Sequence, residues 1–316
     1  MWADSGTILL GCVLLLFGTD SLTNGVSGLI VRKPGQSWLF ALSSTSLAAL
    51  APLIAIAIAA LLLNHADLGV GAALGGAIAQ LGIMLGLAAL SAPLLARLKP
   101  FARINPILIG AVALVWALGL DHTYSRIDGG ILLFAFAALA ALIVRGILRE
   151  RTAIEALCNE SPRAFATSLL LLRVLVGAVL LGLGAWRLLV GTSGLAASLA
   201  LNPLILGLLV LGPASALAGA STALMAARRG RGDFALAQAL LGALAAILLV
   251  LGGLALTHPL ALPASIGRFE LPVLFTLAVA VYPMMRSDGE LSRREGVVLV
   301  LAWLAFLATE LWLTFA

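Results

Sequence analysis

The residues best suited to binding chemistry lie close together within one long apolar segment. Ser43, Ser44, Thr45 and Ser46 supply adjacent hydroxyls, and Pro52 follows in the same segment. A proline inside a helix removes one backbone hydrogen bond, so the helix is predicted to open at Pro52. In a membrane, free backbone groups and clustered hydroxyls are tolerated only against protein or a polar cavity. The stretch therefore predicts a polar centre, unless the hydroxyls simply bond the preceding helical turn.

The composition indicates a membrane protein. The chain has 316 residues, of which 62% are hydrophobic and 10% charged, and its mean hydropathy is +1.14. Soluble domains contain about 25% charged residues. Apolar runs of about 20 residues, the length that crosses a bilayer, recur along the whole chain. These runs predict an all-α polytopic protein with ten transmembrane helices, at 6–29, 38–63, 68–94, 105–120, 129–148, 167–190, 203–227, 233–257, 271–285 and 296–315.

The basic residues predict the orientation of the chain. Loops that follow odd-numbered helices hold 15 of the 19 lysine and arginine residues. The positive-inside rule then places both termini on the non-cytoplasmic side. The net charge of +5 belongs to these loops and does not indicate nucleic-acid binding. The preference for arginine over lysine, with abundant alanine, is typical of a GC-rich bacterial genome, so we expect the bacterial inner membrane.

Two halves of the chain repeat each other. The segment Gly18–Leu29 matches Gly184–Leu195 at an offset of 166 residues, and the same offset pairs Pro106 with Pro272. Each half contains five predicted helices, an odd number, so the halves must have opposite orientations. The domains are therefore predicted as a first repeat at 1–148, a cytoplasmic linker at 149–166 and a second repeat at 167–316. Transporters with inverted repeats bind substrate near the midplane between the halves.

With these patterns, the chain resembles the sodium/calcium exchanger family, particularly its bacterial members. The resemblance rests on Gly18-Thr19-Asp20, on the segment 67–80, and on the Asp-xxx-Ser-Arg-x-acid-Gly turns at 121–129 and 288–296. It implies a ten-helix fold of two inverted five-helix repeats with an outward N-terminus. It also implies a central cation site, to which each repeat contributes a G-T-S-x-P-E segment and a G-N-x-x-G-S-N-x-x-N segment.

The chain departs from those motifs at most positions. The two glutamates of the family fall on Leu53 and Gly219, while the prolines before them fall on Pro52 and Ala218. Calcium needs six to eight oxygen ligands, normally including carboxylates. The resemblance therefore implies a retained scaffold without a metal site or sodium/calcium exchange. The remaining degenerate ligand positions are Ala72, Gly76, Ala77 and Gln80 in the first repeat and Gln238, Gly242 and Ala243 in the second.

A residual polar site is a further hypothesis. Its candidate residues are the polar side chains that remain near the centre of each repeat: Ser43, Ser46, Gln80, Ser215 and Gln238. These could bind a substrate. Alternatively, Gln80 and Gln238 could bond each other and hold the helices together, as polar pairs do in membrane bundles.

Other polar residues carry weaker hypotheses. Asp20 is expected to pair near the cytoplasmic side rather than relay protons, and Glu310 and Arg173 are expected to snorkel toward the membrane surfaces. The three histidines fall in outer loops, where they could bind a metal or sense pH, but their spacing matches no motif. The sequence carries no nucleophile, phosphate-loop or cofactor motif, so we predict neither an enzyme nor a cofactor. The histidines are His65, His122 and His258.

Two functional hypotheses remain open. The chain could be a secondary transporter of a proton, a small cation or a neutral solute. It could instead be a non-transporting scaffold or partner subunit, in which case a protein partner is implied beside the lipid bilayer. A polar cavity that reaches Gln80 and Gln238 favours transport, whereas a centre closed by Leu50 and Leu53 favours the scaffold.

Overall fold

The computed structural model describes residues 2–30, 37–95, 104–149, 166–287 and 290–315. In these ranges the chain is almost entirely helical, and eight helices are long and apolar enough to cross a membrane. The bent helix pair Pro203–Ala218 and Ala220–Arg228 makes a ninth when it is counted as one span. The helices are α1 (Trp2–Ile30), α2 (Ser37–Leu62), α3 (Ala66–Ser91), α4 (Ile104–Leu118), α5 (Arg126–Arg149), α6 (Thr167–Leu199), α7 (Pro203–Ala218), α8 (Ala220–Arg228), α9 (Gly232–Thr257), α10 (Ala264–Arg268), α11 (Glu270–Ser287) and α12 (Arg293–Phe315).

The predicted all-α polytopic fold is confirmed, with one helix longer than expected. Helix α6 continues to Leu199, well past its predicted end at 190. The extension packs on α1: Gly191 and Gly194 lie against that helix, where Thr7 and Asp4 occupy the space a side chain would need. Of the predicted linker, residues 150–165 lie outside the described ranges. The division into domains at that linker therefore stays a prediction.

Four two-residue strands tie the repeats together at their ends. Strand β1 (Leu94–Leu95) pairs antiparallel with β4 (Glu290–Leu291), and β2 (Thr123–Tyr124) pairs antiparallel with β3 (Leu260–Ala261). The repeat offset relates β1 to β3 and β2 to β4, so each ladder joins one strand from each half. We call the ends of the helices near Trp2 the terminal face and those near Arg149 the linker face. The β2–β3 ladder lies at the terminal face, and β1–β4 lies at the linker face.

The same capping arrangement begins the last helix of each half. At α5 the backbone N–H and hydroxyl of Ser125 donate to the Asp128 carboxylate, at 2.8 and 2.7 Å. At α12 the corresponding groups of Ser292 donate to Glu295, at 2.7 and 2.8 Å. Each acid, three residues after its serine, satisfies donors that a helix start would otherwise leave unpaired. The repeated Ser-x-x-acid turn is therefore a helix start, placed at opposite faces by the two halves.

Glycines hold α1 and α6 in backbone contact. A Cβ at Gly18 would lie 2.7 Å from the Leu181 nitrogen, and one at Gly184 would lie 2.8 Å from the Leu15 nitrogen. Membrane helices gain no hydrophobic force from one another, so small residues that permit close approach drive their packing. The contact glycines recur every seven residues on both helices, at Gly11, Gly18 and Gly25 and at Gly177, Gly184 and Gly191.

This seam predicts opposite outcomes for two glycines of one helix. Gly184→Ala should lower the free energy of unfolding by about 1–3 kcal/mol, because the new methyl group overpacks the seam. Gly182→Ala is the matched control, since nothing lies within 4 Å of a Cβ there. It should be neutral or stabilising, by up to about 1 kcal/mol, through helix propensity. Thermal unfolding of the purified variants in detergent measures both, and equal stability of the two would contradict the seam.

Candidate functional site at the centre of the fold

The two helices that correspond between the repeats, α2 and α7, are interrupted differently. Helix α2 runs through Pro52 without a break, so the predicted opening there is wrong. A membrane helix tolerates an internal proline when neighbouring helices and local adjustment satisfy the freed groups. The break lies in the second repeat, where α7 and α8 meet at Gly219 with a bend of 43°. No proline stands there, because its position is occupied by Ala218.

The carbonyl oxygen of Gly219 accepts more than one hydrogen bond at this break. It accepts from Gln238 Nε2 at 2.7 Å and from the backbone N–H of Ala223 at 3.3 Å. The Thr222 hydroxyl lies 2.7 Å from the same carbonyl and 3.0 Å from Gln238 Oε1. Gln238 is 1% exposed, and both ends of its amide are thus satisfied. The Gln238 amide therefore links α9 to the broken helix by hydrogen bonds, and this role is structural.

Gln80 has the opposite environment. Its side chain is 1% exposed, and neither its nitrogen nor its oxygen has a hydrogen-bond partner. The amide lies over Gly242 of α9, where a Cβ would come 2.6 Å from Gln80 Cδ. The two glutamines therefore do not bond each other, and the predicted glutamine pair is wrong. A buried amide without partners costs about 1–3 kcal/mol, so native structures seldom keep one without a reason.

π-helical turns mark equivalent places in the two repeats. One begins at Gln80 and runs to Met84 within α3, and its counterpart occupies Ala245–Val250 within α9. A third, Gly207–Leu211, lies within α7. Such turns add a residue to the helix and rotate the side chains that follow, and they occur often at functional sites. The sequence pattern gave no signal for them.

Apolar packing fills the position of the first glutamate. Leu53 is 2% exposed. A Cβ at Gly76 would lie 3.2 Å from both Leu53 Cδ2 and Ser215 Oγ. Ser215 donates its hydroxyl to the Gly212 carbonyl at 2.6 Å, which is the bond within a helical turn that competes with a binding role. Leu53, Gly76 and Ser215 thus form one packed contact between α2, α3 and α7.

The remaining predicted positions are two serines of α2 and four alanines. Ser46 is half-buried, and the side chain of Ser43 lies outside the described part of the structure. The centre is uncharged at every degenerate ligand position, since none carries an ionisable side chain. The four alanines at these positions are buried in the core: Ala72, Ala77, Ala218 and Ala243.

Each glycine at a former ligand position is covered by a side chain from another helix. A Cβ at Gly219 would lie 2.7 Å from Gln238 Nε2 and 2.7 Å from the Ala48 carbonyl oxygen. Gln80 covers Gly242 in the same way, and Leu53 covers Gly76. Longer side chains therefore occupy the space that the missing ones would need. Sequence reasoning identified these positions but could not pair them, because the partners lie far apart along the chain.

Outside the centre, polar residues line a pocket of about 380 Å³ between α1 and α6. Asp20, Asn24 and Arg173 contribute to it, and the Ser21 hydroxyl donates to the Arg173 carbonyl at 2.9 Å. Asp20 is exposed and lies beside Arg173 at this pocket, on the surface of the bundle. The pocket is thus separate from the central site.

The three histidines His65, His122 and His258 are exposed at the terminal face, in loops as predicted. In the described ranges, no three His, Cys, Asp or Glu side chains come close enough to hold a metal ion.

Nearby, Tyr124 is buried and donates its hydroxyl to the Val115 carbonyl at 2.8 Å. Burial, together with the charges of Asp128 and Asp121, raises the pKa of this phenol.

Three features define a polytopic membrane protein with a transporter fold. They are the inverted pairing of strands, the broken α7–α8 span and the central positions between the halves. The chain belongs to the family described as sodium/calcium exchanger protein, whose family model matches residues 5–145 and 169–312. The resemblance inferred from the motifs is thereby confirmed.

Similar proteins agree with this assignment over the full length. "Inner membrane protein YrbG" of Escherichia coli (strain K12) is 26% identical over 99% of this chain and 98% of its own. CaxA of Alkalimonas amylolytica, which is named provisionally as an antiporter, is 23% identical over 95% of this chain and 96% of its own. The solved sodium-calcium exchanger NCX_Mj, soaked with 2.5 mM Na⁺ and 10 mM Sr²⁺, superposes with a TM-score of 0.69 at 20% identity, covering 97% of this chain and 98% of that one.

The two glutamines predict opposite effects on stability. Gln238→Leu should lower the free energy of unfolding by about 1–3 kcal/mol, because it leaves the buried Gly219 carbonyl with fewer donors. Gln80→Leu should be neutral or stabilising, because it replaces an unpaired amide by an apolar group of similar size. Thermal unfolding in detergent compares them. Equal destabilisation by both changes would mean that the Gln80 amide has a partner in solution.

Proposed function

We propose that this protein is a secondary membrane transporter that does not exchange sodium for calcium and whose substrate is a small neutral solute able to form hydrogen bonds. Membership of an exchanger family supports membrane transport in general. The observation that carries the narrower proposal is the buried amide of Gln80, which has a donor and an acceptor and no partner for either. A solute that offers both an acceptor and a donor would satisfy it.

The charge of the centre argues against calcium. The two glutamate positions hold Leu53 and Gly219, and no carboxylate replaces them at the other ligand positions. A cation placed in an apolar site without compensating charges costs many kcal/mol. Two glutamine amides cannot supply the six to eight oxygens that calcium requires. A neutral solute carries no such penalty, which is why we favour it over a proton or a small cation.

The packing of the centre supports a second candidate function. Leu53 fills the space beside Gly76, and α3 and α7 touch through Gly75 and Gly212. A centre closed in this way suits a scaffold or partner subunit that keeps the exchanger fold without moving a substrate. Transport would require α2 and α7 to separate near Leu53, and the break at Gly219 gives the second repeat a place to bend.

Reconstitution into liposomes distinguishes the two functions. Light scattering should report uptake of urea, acetamide or glycerol by liposomes containing the wild type, and Gln80→Leu should abolish it. Gly182→Ala, on the exposed side of α6, serves as the control and should keep the flux. The scaffold is favoured if none of these solutes enters faster than into empty liposomes.

Sodium-driven calcium uptake is the direct test of the excluded activity. We expect none with the pure wild-type protein in sodium-loaded liposomes, measured with a calcium-sensitive dye. Robust uptake would overturn the proposal.

A single acidic substitution should not restore the cation site. Leu53→Glu should show no thermal stabilisation by calcium, because the second glutamate, whose position Gly219 occupies, and the amide ligands are still absent. It should also be less stable than the wild type, since it buries a carboxyl group among apolar side chains. Calcium titration followed by thermal unfolding measures both effects, with Leu53→Gln as the uncharged control. A calcium-dependent rise in the melting temperature of Leu53→Glu alone would contradict this prediction.

The orientation and location are proposed from charge. Of the arginines that the structure describes, Arg229 and Arg231 lie in a loop at the linker face, and Arg293 and Arg294 begin α12 there. We therefore infer that this face is cytoplasmic, that both termini lie on the other side, and that the membrane is the bacterial inner membrane. Labelling of single cysteines introduced near each terminus, with a reagent that cannot cross the membrane, tests the orientation in whole cells.

A further inference from the structure

Two glutamates are buried near the terminal face, away from the centre. Glu270 is the first residue of α11 and is 2% exposed, and Glu310 lies near the end of α12 and is 5% exposed. Glu310 does not snorkel to the surface, so that expectation is wrong. The proposed transport function uses neither residue.

An aromatic contact joins the segments of α11 and α12 that carry the two acids. The rings of Phe269 and Phe306 stack with centroids 5.7 Å apart and planes 17° apart. Phe269 immediately precedes Glu270, while Phe306 lies one helical turn before Glu310 on the same side of α12. The stacked rings therefore place Glu270 and Glu310 in adjacent parts of α11 and α12.

No basic group faces this pair from the described elements that pack against α11. Helix α4 has no ionisable side chain, and Arg268 of α10 is exposed. The Asp67 side chain of α3 is also exposed. The other charged groups of α12 begin that helix at the opposite face, at Arg293, Arg294 and Glu295. Each acid of the pair is thus the charged neighbour of the other.

Glu270 also has an unused polar atom. Its Oε2 is buried and has no hydrogen-bond partner. Two neighbouring carboxylates in an apolar environment cannot both stay ionised without a large cost in free energy. A proton bound by one of them removes the repulsion and gives that carboxyl an O–H donor.

We propose that Glu270 and Glu310 form a buried proton-binding site in which one of the two carboxyls holds a proton at neutral pH. The bound proton holds the terminal-face ends of α11 and α12 together, and its loss drives them apart by repulsion. A metal ion fits less well, because two carboxyls provide too few oxygens for calcium.

The repeat shows that this place in the fold does not need acids for packing. The positions related to Glu270 and Glu310 in the first half are Ile104 and Ile143, which are 0% and 8% exposed. An apolar pair therefore closes the equivalent end of α4 and α5. The acids add a chemistry that the first repeat lacks, and this site is independent of what the central site carries.

The test compares melting temperature against pH for the full-length protein in detergent. An unfolded glutamate releases its proton at about pH 4, whereas the folded site keeps a proton at neutral pH. The stability that this proton contributes is therefore complete at acidic pH and is lost as pH rises to the value at which the folded site releases it. The wild-type melting temperature should fall over that range of pH. Glu270→Gln and Glu310→Gln should each flatten the fall, because the amide copies the neutral acid. Glu290→Gln, a partly exposed glutamate at the linker face, should keep it.

Infrared spectroscopy of the wild type supplies a readout that needs no variant. A protonated-carboxyl C=O band should be present at neutral pH, shift on ¹³C-glutamate labelling, and disappear at alkaline pH. The proposal is overturned if that band is absent, or if both glutamine variants keep the wild-type pH dependence. It is also overturned if Na⁺ or Ca²⁺ restores the alkaline melting temperature of the wild type but not of Glu270→Gln, since the site would then bind a cation.

Discussion

The structure depends on close backbone contact between helices in an environment that supplies no hydrophobic force to bring them together. Glycines make this contact possible, both in the seam of α1 and α6 and where α3 meets α7 at Gly75 and Gly212. Lipid is as apolar as leucine, so helices associate through van der Waals packing at short range. Because the seam glycines recur at the repeat offset, the same constraint acts on both halves, and it fixes how the repeats face each other.

The central site follows from that tight packing. Once the helices approach this closely, a side chain lost from one helix must be replaced by another, or a cavity remains. Gln238 fills the space over Gly219, and Gln80 fills the space over Gly242. The Gln238 amide is hydrogen-bonded in its new position, so this replacement is fully satisfied. The Gln80 amide is buried without a hydrogen-bond partner, so that replacement leaves a polar group unsatisfied. The chemistry that remains at the centre is therefore concentrated in one side chain.

Charge is distributed in a way that the family pattern does not imply. The degenerate ligand positions at the centre are neutral, while two carboxyl groups are buried at the terminal face between α11 and α12. In a low-dielectric interior such groups are costly unless they are neutralised. The neutral centre favours an uncharged substrate, and the buried pair favours proton binding. These two features use different residues and can be separated by substitution.

The sequence by itself determined the membrane class, the helices, the inverted repeat, the family and the absence of acids at Leu53 and Gly219. These features depend on local hydropathy and on spacing along the chain, which any sequence displays directly. Only the tertiary structure decided that α2 continues through Pro52 and that the break lies at Gly219. It also decided that the Gln238 amide is bonded while the Gln80 amide has no partner, and that Glu270 and Glu310 are both buried. Helix continuity at a proline depends on neighbouring helices. Pairing between side chains depends on which helix faces meet. A membrane helix is apolar nearly uniformly around its axis, so its sequence pattern does not encode which face meets which neighbour.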